Sequence, residues 1–118
     1  MKLNFEIETN DAILERHIFS SAQLSAGFTR IQISEGIIAK YNGTIIQLAV
    51  DIPNIIKIVI EIGKDVGIGI GSGLISAWLY EKLKGKDVKK IRIDGNEVEL
   101  DQEQLQRTIE EKLKQDVR

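Results

Sequence analysis

Gly67, Gly69, Gly71 and Gly73 come closest to a chemical motif in this chain, because closely spaced glycines let a phosphate approach main-chain N–H groups at the start of a helix. On that reading Ile56 to Ile62 is a strand, Gly67 to Gly73 a phosphate loop and Leu74 to Leu83 a helix. Ile91 to Ile93 is then a second strand, ending at Asp94 where dinucleotide folds place a ribose acceptor. The fingerprint is incomplete. Its third position falls on Ser72 when counted from Gly67 and on Leu74 when counted from Gly69. Too little chain follows Asp94 to complete a doubly wound sheet, and Asp94-Gly95 is better explained as a hairpin turn.

Other chemistry has less to work with. His17 is the only histidine, on the apolar side of a predicted short helix, and there is no cysteine, so neither a histidine–cysteine metal set nor a thiolate nucleophile can be assembled. Ser20, Ser21, Ser25, Ser34, Ser72 and Ser76 lack the strand–turn–helix setting of an activated serine. Glu6 and Glu8 share one strand face and read as solvated. The expectation is therefore no catalytic residue, no metal and no cofactor.

The elements that would carry these residues follow from periodicity. Leu3, Phe5 and Ile7 alternate with polar residues as in a half-buried strand. Asn10 is a candidate cap for a helix in which Ile13, Leu14, His17 and Ile18 share a face. Thr29 to Ser34 reads as a strand, and Ile37–Tyr41 and Thr44–Val50 as two more, joined by a hairpin turn at Asn42-Gly43, with the entry to the following helix as the alternative for Thr44–Val50. Asp51 and Pro53 suit the start of a helix, and apolar spacings of three and four from Ile55 to Ile70 extend it, so one long helix over about 53–84 is predicted, stopped by Gly85. Lys89 to Leu100 reads as a hairpin about Asp94-Gly95-Asn96. Asp101 and Gln104 approximate a capping box for a closing amphipathic helix whose buried stripe is Leu105, Ile109 and Leu113. The predicted fold is a single α+β domain: antiparallel hairpins and a meander, packed by the long glycine-rich helix and the short C-terminal one.

Inside such a helix each glycine costs about 0.8–1 kcal/mol relative to alanine. Gly63, Gly67 and Gly71 fall four apart, as do Gly69, Gly73 and Ala77, so each set lies on one helix face and lets another backbone come close. The neighbour is the chain's own sheet, a second copy or another protein. Gly63, Gly67, Gly71, Gly73 and Trp78 are the candidate contact residues.

Hydrophobic residues at 42% and charged residues at 29% are the proportions of a soluble globular protein, which excludes extensive disorder. The net charge of −2 provides no global attraction for nucleic acid. Lys82, Lys84, Lys86, Lys89, Lys90 and Arg92 nevertheless crowd into a short stretch against Asp87, forming either a basic patch or a solvated helix end and strand face. A membrane-active helix with that basic flank is an alternative, with Trp78 and Tyr80 as interfacial anchors. Length disfavours it: the uncharged run Val66–Tyr80 is shorter than the roughly 18–20 residues needed to span. The acidic N-terminal segment disfavours a secretory leader, and a cytoplasmic location is expected.

From about Asp51 onward the order of features resembles the effector-associated constant component family of bacterial conflict systems. The likeness rests on an apolar helix rich in glycine and alanine that ends near Trp78-Leu79, on Lys82, Lys84 and Lys86 after it, on the hairpin Ile91–Asp101 and on a short closing helix. The resemblance implies a non-enzymatic accessory encoded beside variable effectors such as proteases. It would act by contact with another protein, whether an effector or a second copy, and no catalytic or ligand residues come with it.

Overall fold

The computed structural model describes every residue except Leu48, Val50, Val117 and Arg118. In β1 (Lys2–Thr9), Leu3, Phe5, Ile7 and Thr9 are buried while Lys2 and Asn4 are exposed, so the alternation in sequence becomes an alternation of environment. There follow α1 (Leu14–Phe19), β2 (Arg30–Ser34), β3 (Ile37–Ile45), β4 (Asn54–Ile62), α2 (Ile68–Leu83), β5 (Val88–Ile93), β6 (Asn96–Val98) and α3 (Gln102–Asp116). The strands form one six-stranded antiparallel sheet in the order β2-β3-β4-β1-β5-β6, so the α+β class holds.

Residues opposite one another in a ladder point to the same side. Phe5 faces Ile58 and Ile93, and Ile58 in turn faces Tyr41, which defines one apolar face across four strands. Ile75, Leu79 and Leu83 of α2, Leu105, Ile109 and Leu113 of α3, and Leu14, Ile18 and Phe19 of α1 complete the core with it. Phe19 meets Tyr41 edge to face, with ring centroids 5.7 Å apart. On the other face Arg92 pairs with Glu8, Lys90 with Glu97 and Lys40 with Glu61.

The long helix over 53–84 does not form. Residues 54–62 are β4, a central strand, and the helix starts only at Ile68. Two periods coexist in Asn54–Ile62: Ile55, Ile56, Val59 and Ile62 fit a helical stripe, while Ile56, Ile58, Ile60 and Ile62 alternate and are the residues buried. A run of isoleucine and valine is stiff at χ1 and packs well on a pleated surface, and here β1 and β3 supply that surface on both edges. Asp51 and Pro53 accordingly precede a strand rather than cap a helix.

The hairpin at Asn42-Gly43 is also replaced. β3 runs on through both residues, and its register against β4 shifts between Tyr41 and Thr44, so the dipeptide makes a bulge with Gly43 at φ 101°. The turn between β2 and β3 is at Glu35-Gly36, with Gly36 at φ 81°. Of the strand expected over Thr44–Val50, Thr44 and Ile45 belong to β3; Leu48 and Val50 lie outside the described residues. In α1, His17 and Ile13 are exposed instead of sharing the buried face, because a helix of six residues buries only Leu14, Ile18 and Phe19.

The C-terminal part follows the expected order. Asp94 and Gly95 both have positive φ, as a type I′ hairpin turn requires. Gln104 N–H donates to Asp101 Oδ2 at 3.1 Å to cap α3. Gly85 follows α2 with φ 73°.

Candidate functional site

The outer flank of α2 and the cleft beside it are one place where apolar side chains are left in solvent; Phe28, Ile46 and Ile13 are exposed elsewhere on the chain. α2 carries no charged residue before Glu81 and is apolar on every side. It buries Gly71, Ser72, Ile75, Ser76, Leu79 and Leu83 against the sheet. α3 packs along one side, where a Cβ on Gly73 would lie 3.6 Å from Gln106 Nε2. The remaining flank has nothing over it: Ile70 is 68% exposed and Leu74, one turn on, 38%. Trp78, a further turn along, is half-buried at the margin of the core.

Beside Ile70 and Leu74 lies a cleft of about 420 Å³, walled by the Glu35-Gly36 turn and by Val66 and Gly67 ahead of α2. Its wall is built by close backbone contact. Gly63 N–H donates to Gly36 O at 2.8 Å, and a Cβ on Gly36 would meet Val66 Cγ2 at 2.8 Å. A larger hollow of about 500 Å³ at the opposite edge lies between β5, β6 and α3, but Lys90 and Glu97, which line it, are already paired with each other.

The five candidate contact residues do not share one face. Gly63 is in the loop after β4 and Gly67 is the N-cap of α2, so neither is in a helix interior. Gly67 and Gly69 have no atom within 4 Å of the Cβ position, a Cβ on Gly71 would lie 3.2 Å from Val66 Cγ1, and Gly73 faces α3. The close approach expected along the helix is thus made instead by the β2–β3 turn against the loop 63–67. Ser72 and Ser76 are buried, and their hydroxyls donate to Gly69 O and Gly73 O one turn back.

The basic residues also separate. Lys84 pairs with Glu81, Lys89 with Asp87, Lys90 with Glu97 and Arg92 with Glu8, while Lys82 donates to Ser20 Oγ at 3.3 Å. Lys82 and Lys84 end α2, whereas Lys90 and Arg92 lie on the uncovered sheet face, so these four do not share one surface. Among the described residues, no helix is long and apolar enough to cross a membrane.

Ile70, Leu74 and Gly36 were not singled out by sequence. Ile70 fits the apolar stripe of the long helix; once that helix starts at Ile68, the stripe rotates and Ile70 turns outward. Comparison of the chain with family models, curated proteins and solved structures gave no match.

Proposed function

We propose that this chain is a non-enzymatic interaction module, an accessory of a bacterial conflict system working in the cytoplasm, that binds another protein chain through the outer flank of α2. The observation that carries the proposal is the pair Ile70 and Leu74, held in solvent on a helix that is apolar all round and opening into a cleft. An apolar surface rimmed by polar groups marks a contact site, and Glu35, Lys64 and Asp65 form such a rim. The conflict-system part of the proposal rests on the resemblance of the sequence from Asp51 onward to the effector-associated family.

A nucleotide site at Gly67–Gly73 has one observation in its favour, since β4, a glycine-rich loop and α2 do run in sequence. The sheet weighs against it. β1 lies between β4 and β5 and is antiparallel to both, so there is no crevice between the ends of neighbouring parallel strands.

The test is a photo-crosslinking amino acid at position 74, introduced in the cells that make the protein, with a second at Asp116 as control. A discrete adduct from position 74 alone is expected, and its mass separates a second 13.2 kDa chain from an effector. No adduct, or the same adduct from both positions, overturns the proposal.

A further inference from the structure

We infer that the occupant of the α2 cleft is a second copy of this chain, brought there by two-fold pairing of β2 with β2, with Phe28 of each copy entering the cleft of the other. This rests on the interaction reading above and names its partner.

The two edges of the sheet differ. β6 is three residues long, carries Glu97 at its centre and has Asp94 and Glu99 close by, which discourages a further strand. β2 is five residues long, terminal in the strand order, and has Ile31-Gln32-Ile33 at its centre with neither charge nor proline. Its outward groups can be assigned. Tyr41 N–H donates to Thr29 O at 2.8 Å, so Thr29 and Ile31 turn their main-chain groups to β3 while Arg30 and Gln32 turn theirs out.

Two antiparallel copies of this edge share the helix-bearing face only if opposing residues have the same parity. Charge then selects the register. Arg30 starts β2 and Glu35 follows its end, both exposed. With Gln32 on the two-fold axis, Arg30 lies opposite Ser34 of the second copy and next to its Glu35. Shifting the axis to Ile31 brings the two Arg30 side chains onto neighbouring rungs, where they repel. The irregularity between Gln32 and Ser34 bends the last rung but leaves the Gln32–Gln32 exchange of hydrogen bonds intact.

In the Gln32 register Phe28 of one copy reaches the Glu35-Gly36 turn of the other, and that turn is a wall of the cleft that Ile70 and Leu74 also line. Phe28 sits in the turn that leads into β2, with its N–H donating to Ser25 O at 3.0 Å, and it is 77% exposed, the highest value for any large apolar residue described. Each copy thus presents both an exposed aromatic and a receptive cleft, a self-complementary contact that closes on itself.

Sedimentation equilibrium of the purified chain over the micromolar range tests this. The parent is expected to form a species of twice 13.2 kDa. Gln32→Pro removes an outward N–H without touching the β3 ladder, and Phe28→Asp changes an exposed side chain. Each should raise the dissociation constant about tenfold or more with an unchanged circular dichroism spectrum. Arg30→Glu should weaken the dimer, and adding Glu35→Arg should restore it. A monomeric parent, or a dimer indifferent to both Gln32→Pro and Phe28→Asp, overturns the inference; a double exchange that does not restore overturns the Gln32 register. A monomeric parent that still gives an effector adduct from position 74 leaves the interaction reading standing and removes only the second copy.

Discussion

Glycines that look alike in the sequence do different things, and adding a Cβ separates them. Gly36 has φ 81° and a Cβ would meet Val66 Cγ2 at 2.8 Å, so Gly36→Ala should lower stability by about 1–3 kcal/mol. At Gly69, helical and with nothing within 4 Å of the Cβ position, Ala should raise stability by about 0.5–1 kcal/mol. Urea denaturation of the two variants measures both, and equal effects would mean that the close contact is not at the β2–β3 turn. A second residue-scale prediction concerns Glu61. Lys40 Nζ donates to Glu61 Oε1 at 3.0 Å and this bond, with the lysine's charge, holds the carboxyl below its ordinary value. A lowered folded value means stability that is complete above the ordinary glutamate range and is lost as pH falls through the lowered one. Lys40→Met should cost about 0.2–1 kcal/mol at neutral pH, as expected for a partly exposed pair, and the difference from the parent should vanish in acid. Urea midpoints across that pH range decide it.

At the scale of elements, the β5–β6 turn is tied to the middle of the sheet. Asp94 Oδ1 accepts the Asn4 N–H at 2.8 Å, and Asp94 N–H donates to Asn4 O. Asp94→Asn keeps an acceptor and tolerates positive φ, so it should be nearly silent; Asp94→Ala loses both and should cost about 1–2 kcal/mol in the same denaturation assay. This hairpin was legible in the sequence because turn chemistry and alternation agree there, as they do in β1 and in the Leu105-Ile109-Leu113 stripe of α3. β4 was not legible, since Asn54–Ile62 satisfies both periods and only the strands on either side decide between them. Asn42-Gly43 misled for a related reason: positive φ serves a bulge as well as a turn, and local sequence does not say whether the chain reverses. The glycines of the candidate site could be read as close-contact residues, but of them only Gly63 meets the β2–β3 turn, a long-range neighbour that no spacing reveals, while Gly71 lies by Val66 and Gly73 by α3.

The whole molecule is two layers, with three helices on one face of a sheet whose other face carries ion pairs in cross-strand rows. That division leaves two places for a partner, the uncovered flank of α2 and the open edge at β2, and they adjoin each other through the Glu35-Gly36 turn. A second copy seated at both would extend the sheet without covering the charged face, which stays free in the assembly.

β1 lies between β4 and β5, although it is synthesised well before either. As the chain leaves the ribosome, the first strand can find β4 only after residue 62 has emerged and β5 only after residue 93. Before residue 62 has emerged β1 has both edges unsatisfied, and from then until residue 93 it has one, so an incomplete chain leaves an apolar strand edge open to aggregation.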